Sequence, residues 1–97
     1  MNVRFLTLAQ TELREAIRYY ENQRPGLGVE FRDEVFGAVE RIKTHPLAWR
    51  ELSPNTRRHR IHRFPYGVIY AIESDELLVL AIAHAHREPE YWRGRTE

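Results

Sequence analysis

The sequence has no cysteine, which excludes a disulfide framework and a thiolate-bound zinc. It has a single lysine, Lys43, among 15 basic residues, so its positive charge is almost entirely guanidinium. No apolar run approaches the ~18 residues that a membrane span requires; the longest, Leu77 to Ala83, has seven. No basic-then-apolar segment opens the chain, so no secretory signal is expected. The expectation is a small, soluble, cytoplasmic domain with no membrane partner. Overall charge is also nearly absent. Fifteen basic and 14 acidic residues leave +1, which excludes the global basicity of a protein that coats nucleic acid. Low-complexity and linker segments are missing too, and 97 residues allow one domain, 1–97.

What is present is an ordinary globular balance, 42% apolar and 30% charged, with an uneven distribution of arginine. Arg57, Arg58, Arg60 and Arg63 share a seven-residue stretch with His59 and His62 and no acid. His84, His86, Arg87, Arg93 and Arg95 form a second concentration near the C-terminus. Guanidinium groups bind carboxylate and phosphate in a bidentate manner. Two local concentrations in a near-neutral chain imply a patch.

Periodicity divides the chain. Residues 2–6 alternate polar and apolar and predict a strand. Thr7 to Gln10 fits a capping box at a helix start. Ala9, Leu13, Ala16, Ile17 and Tyr20 then follow one helical face until Pro25-Gly26. Phe31, Val35, Ala38, Val39 and Ile42 repeat that spacing until Pro46. Two amphipathic helices joined by so short a connection predict an antiparallel hairpin. Residues 47–56 read as a connector, 57–63 as an arginine-rich strand, 68–73 and 76–84 as strongly β-forming strands. Residues 89–97 read as a tail with a helical turn. The fold class expected is α+β, in the order β-α-α-β-β-β, with the hairpin packed on a small, mostly antiparallel sheet.

Side chains alternate across a sheet. By that parity Leu78, Leu80, Ile82 and His84 face the hairpin, while Val79, Ala81, Ala83, Ala85 and Arg87 face away. Both faces of this strand are apolar, so both are expected to be covered. The tail, a partner, or both must cover the second.

The motifs resemble a known family. Ala16-Ile17-x-Tyr19-Tyr20-Glu21 precedes Arg24-Pro25-Gly26-Leu27-Gly28-x-x-Phe31-x-x-Glu34-Val35. Arg63-Phe64-Pro65-Tyr66-x-x-x-Tyr70-x-Ile72 and His84-x-x-Arg87-x-Pro89-x-Tyr91-Trp92-x-x-Arg95 follow. Together these resemble the RelE/ParE toxin superfamily of type II toxin–antitoxin pairs, closer to the ParE-like plasmid-stabilisation branch. The resemblance covers nearly the whole chain. It implies a twisted sheet in this element order and a growth-arresting toxin neutralised by a cognate antitoxin. It implies two alternative targets. ParE-like members inhibit DNA gyrase; RelE-like members cut messenger RNA on the translating ribosome without a metal. A non-toxic interaction module of the same fold is a further alternative.

Cleavage through a 2′-hydroxyl needs a base, an acid and cations around the phosphate. Arg87, Tyr91, His86 and Arg63 supply suitable groups, and they are the catalytic candidates if the protein is a nuclease. The scarcity of lysine near the sheet departs from the RelE-like pattern. Each candidate also has a structural role open to it: Arg87 pairing with Glu88 or Glu90, His84 hydrogen-bonded at the core's edge, Tyr91 and Trp92 anchoring the tail. Arg57, Arg58, Arg60 and Arg63, with Trp92, are the candidate target- or antitoxin-binding residues. They could instead be a solvated edge strand. No metal site and no cofactor are expected: His84-x-His86 lacks a third ligand at a suitable spacing, and the Gly26/Gly28 segment lacks the Lys-Ser/Thr of a phosphate loop.

Overall fold

In the computed structural model, which describes residues 1–95, the core begins as two helices lying on one face of a five-stranded sheet. Thr96 and Glu97, the end of the expected tail, lie outside the described residues. In chain order the elements are β1 (Asn2–Phe5), α1 (Thr7–Gln23), α2 (Leu27–Thr44), β2 (Arg50–Ser53), β3 (Thr56–Arg60), β4 (Tyr66–Glu73) and β5 (Glu76–His84). The sheet runs β1-β5-β4-β3-β2. Only β1 and β5 pair in parallel; the other three pairs are antiparallel. The α+β class and the element order expected from the sequence are found, with β2 added inside the supposed connector.

Each helix buries the stripe its periodicity marks out: Ala9, Leu13, Ala16 and Tyr20 on α1, and Phe31, Val35, Ala38, Val39 and Ile42 on α2. These meet Val68, Tyr70, Leu77, Val79 and Ile82 of the sheet. The capping box does not form. Leu6 is the N-cap of α1, Thr7 is already helical, and the Gln10 amide donates to the Phe5 carbonyl at 3.0 Å.

The Pro25-Gly26-Leu27-Gly28 connection has a physical explanation. Gly26 takes φ +90°, a left-handed conformation that glycine adopts without steric cost. A Cβ on Gly28 would lie 2.6 Å from the Ile17 carbonyl oxygen, so only glycine lets the helices approach this closely. Glu21 then accepts from the N–H groups of Gly26 (2.9 Å) and Gly28 (3.0 Å), satisfying donors that a helix start leaves unpaired. At the same end Tyr20, Phe31, Phe64 and Tyr66 stack edge and face, with centroids as close as 4.8 Å.

The strand parity expected for β5 holds for only part of its length. Ile69 pairs with Ala81 but Tyr70 pairs with Val79, so Leu80 is an extra residue, a β-bulge. The bulge reverses the alternation. Leu77 and Val79 face the helices before it, and Ile82 faces them after it. Leu80 packs on the opposite face with Ile69, Ala81 and Trp92. This corrects the placement of Leu78, Leu80 and Val79. The second face of β5 is covered by the C-terminal tail, through Trp92.

Candidate functional site

The arginine-rich stretch divides across the sheet. Arg57 and His59 pair with Tyr70 and Val68, which face the helices; Arg58 and Arg60 pair with Ile69 and Gly67, which face away. Arg57 therefore points inward and donates to the Trp49 carbonyl at 2.9 Å. His59 is buried, lies tilted against Trp49 with ring centroids 4.3 Å apart, and accepts from Arg41 Nε at 3.1 Å. Burial, and then the Arg41 charge, push its pKa below the ordinary histidine value. Arg63 lies beyond the strand, which ends at Arg60. It takes φ +72° and pairs with Glu30 of α2. The strip of four is thus three separate placements, and only Arg58 and Arg60 remain on the open face.

On that face Arg50, directly opposite Arg58 on β2, joins them. Arg50, Arg58 and Arg60 form one wall of a cleft of about 430 Å³. Gly67, Ile69 and Ala83 contribute its floor, and the tail from Arg87 to Trp92 forms the opposite wall. The Arg58 side chain crosses Gly67, where a Cβ would come within 3.1 Å of Arg58 Cγ. Burial, and then repulsion from Arg60 and Arg50, hold the Arg58 pKa below the usual arginine value. Among the described residues no carboxylate lies within salt-bridge distance of Arg50, Arg58, Arg60 or Arg87.

The tail wall is fixed by a partly buried ionic cluster. Beyond Val79, whose carbonyl accepts from Leu6, β1 has ended and α1 has begun. Two β5 backbone groups past this point find side chains. Ile82 N–H donates to Glu12 Oε1 at 3.0 Å, and the Leu80 carbonyl accepts from Arg95 Nη1 at 2.9 Å. Glu12 and Arg95 bond each other through both oxygens, at 3.0 and 2.9 Å. Tyr91 donates its hydroxyl to Glu12 Oε2 at 2.8 Å. Burial, then the bond to Glu12, hold the Tyr91 phenol far above its usual pKa. The guanidinium carbons of Arg87 and Arg95 lie 3.9 and 5.0 Å from the Tyr91 ring centroid.

The cleavage candidates therefore part company. Arg87 and Tyr91 are brought together. His86 is exposed beside them, its N–H donating to His84 Nδ1 at 3.0 Å. Arg63 is held at α2. Trp92 is 6% exposed and packs on Ile69 and Ala81. Among the described residues, no group of three or more His, Asp or Glu side chains could hold a metal ion. Glu12 was not among the sequence candidates. Its spacing held the signal: it lies three residues after Ala9 and four before Ala16, on the flank of the buried stripe, where a carboxylate needs a partner. The hairpin also leaves Leu8, Val29 and Phe36 exposed to solvent. No helix among the described residues is long and apolar enough to cross a membrane.

Comparison with known proteins agrees with this architecture. Residues 3–89 match the family described as ParE toxin of type II toxin-antitoxin system, parDE. A chain of the chromosomal ParDE TA system from P. aeruginosa superposes with a TM-score of 0.72 at 18% identity, covering 89% of this chain and 97% of that one. No curated protein sequence matches.

Proposed function

The chain belongs to the ParE toxin family of type II toxin–antitoxin systems, and from that premise we infer that it is a growth-arresting toxin, neutralised by a cognate antitoxin and acting in the cytoplasm by inhibiting DNA gyrase. The observation that carries the choice of target is that two of the four cleavage candidates, Tyr91 and Arg63, are engaged by carboxylates of the helices. Tyr91 spends its hydroxyl proton on Glu12 and Arg63 is held by Glu30, so the four groups do not converge on one phosphate. A general acid or base must reach the proton it transfers. Inhibition by surface contact needs no such convergence, and the open-face cleft with its arginine wall offers the surface. The exposed Leu8, Val29 and Phe36 support an antitoxin segment lying on the hairpin.

One observation favours the second reading, ribosome-dependent messenger cleavage: Arg87 and Tyr91 adjoin in an open cleft. The two separate on induction of the chain alone in a bacterial host, with messenger 5′ ends mapped within minutes. Arrest with intact messages and loss of gyrase supercoiling supports the gyrase reading. Codon-phased cleavage inside open reading frames would overturn it and make Arg87→Ala and Tyr91→Phe the next variants. No growth effect would leave an interaction module of the same fold.

A further inference from the structure

We propose that the open-face cleft is the docking site for an acidic segment of the antitoxin that carries an apolar anchor. The proposal rests on the toxin–antitoxin reading above and adds where the antitoxin's charge is read. The β2–β3 wall presents Arg50, Arg58 and Arg60 with no carboxylate partner among the described residues, and Arg50 sits directly across from Arg58. Like charges at opposed strand positions repel, and partial burial makes the Arg58 charge harder to screen. A carboxylate laid against this wall relieves that repulsion and accepts bidentate bonds.

The floor defines the rest of the segment. Half-buried Leu52 and Ala83 and exposed Pro65 and Pro89 line the cleft of about 430 Å³, which therefore receives an apolar side chain between its walls. The opposite wall carries Glu88 and Glu90, with Glu90 already paired to Arg93. A docked segment therefore turns its acids toward β2–β3 and neutral or basic groups toward the tail.

The same features disfavour a nucleic acid strand. Single strands bind by stacking bases on open aromatic faces. Trp92 is packed against the sheet, and both Arg87 and Arg95 lie over the Tyr91 ring. Glu88 and Glu90 on the tail wall would face the phosphates of a strand, which carries negative charge along its whole length.

The test measures binding of the whole cognate antitoxin to the wild type, Arg58→Glu and Arg60→Glu across a salt series. Arg60→Gln serves as the milder variant at an exposed position, and melting of the free variants verifies folding. The expected result is a loss of at least tenfold for each reversal, a smaller loss for Arg60→Gln, and a shallower salt dependence. Replacing an acid of the antitoxin segment by arginine should restore binding to Arg58→Glu. Affinities within twofold of wild type for all three folded variants would overturn the proposal while leaving the toxin–antitoxin reading intact. Failure of the wild type to bind would overturn both. A 20-nucleotide single-stranded RNA bound through Arg58 more tightly than the antitoxin, or an Arg58-dependent dimer of the chain in sedimentation, would replace the acidic segment with that occupant.

Discussion

Replacing Glu12 by alanine tests the ionic cluster that fixes the tail. The perturbation removes both oxygens from four bonds at once: two from Arg95, one from the Tyr91 hydroxyl and one from Ile82 N–H. The Glu12 and Arg95 side chains are 15% and 12% exposed, so water cannot readily replace what is lost. Removing one partner of a buried pair costs about 3–5 kcal/mol, because the other charge stays desolvated. An orphaned buried donor adds about 1–3 kcal/mol where it cannot reach solvent. Arg95 can partly escape by swinging outward with the tail, so a total near 4 kcal/mol is expected, which lowers Tm by roughly 15–30 °C in a domain of this size. Urea melts of Glu12→Ala, Arg95→Met and the double variant form the assay. Since each single change strands the other partner, the double variant should cost less than the sum, by about 1–3 kcal/mol. A loss below about 1 kcal/mol for Glu12→Ala, or strict additivity in the cycle, would refute the claim that this pair holds the tail.

Other expectations follow from single contacts. Gly28→Ala must push α2 away from the Ile17 carbonyl and should cost about 1–3 kcal/mol in a urea melt, with the aromatic cluster at that end of the hairpin perturbed in near-ultraviolet dichroism. His59 titrates at lower pH folded than unfolded, so its contribution is complete above the unfolded value of 6.5 and declines as pH falls below it. Stability measured from pH 7 to 5 should therefore fall, and His59→Gln should flatten that slope. Gly67→Ala should displace Arg58 and weaken antitoxin binding in calorimetry while Tm moves little. Tyr91→Phe should lose about 1.5–3 kcal/mol of stability, read by the same melts, because its bond is to the charged Glu12 carboxylate.

The helices were legible because burial of one stripe dictates their spacing, and Pro25-Gly26 and Pro46 punctuate them. The hidden strand β2 was not. Arg-Glu-Leu-Ser has no alternation, and a short charged edge strand is stabilised by its neighbour rather than by its own residues. Nor could parity be carried through β5, because nothing in Leu77 to Ala83 marks Leu80 as the extra residue. At the cleft, arginine content points to a stretch that supplies part of one wall but overstates its unity. Arg57 turns inward by alternation, and Arg63 lies past the end of the strand. The pairing of Glu12 with Arg95 spans 83 positions, so no local pattern could announce it.

β1 pairs with the last strand of the sheet, and this has a consequence for timing during translation. The ribosome must make β2, β3 and β4 before β1 has a neighbour to join. At ordinary elongation speeds of about 5–20 residues per second, the first strand waits roughly 4–14 s for its partner. Throughout that interval the helix hairpin has no complete sheet beneath it, and the clamp on Arg95 cannot close until the final residues emerge. A chain stalled before residue 84 should remain protease-sensitive within α1 and α2. The newborn protein therefore passes through a period in which its apolar surface is present but its open-face cleft is not, and an antitoxin already in the cell meets it first in that state.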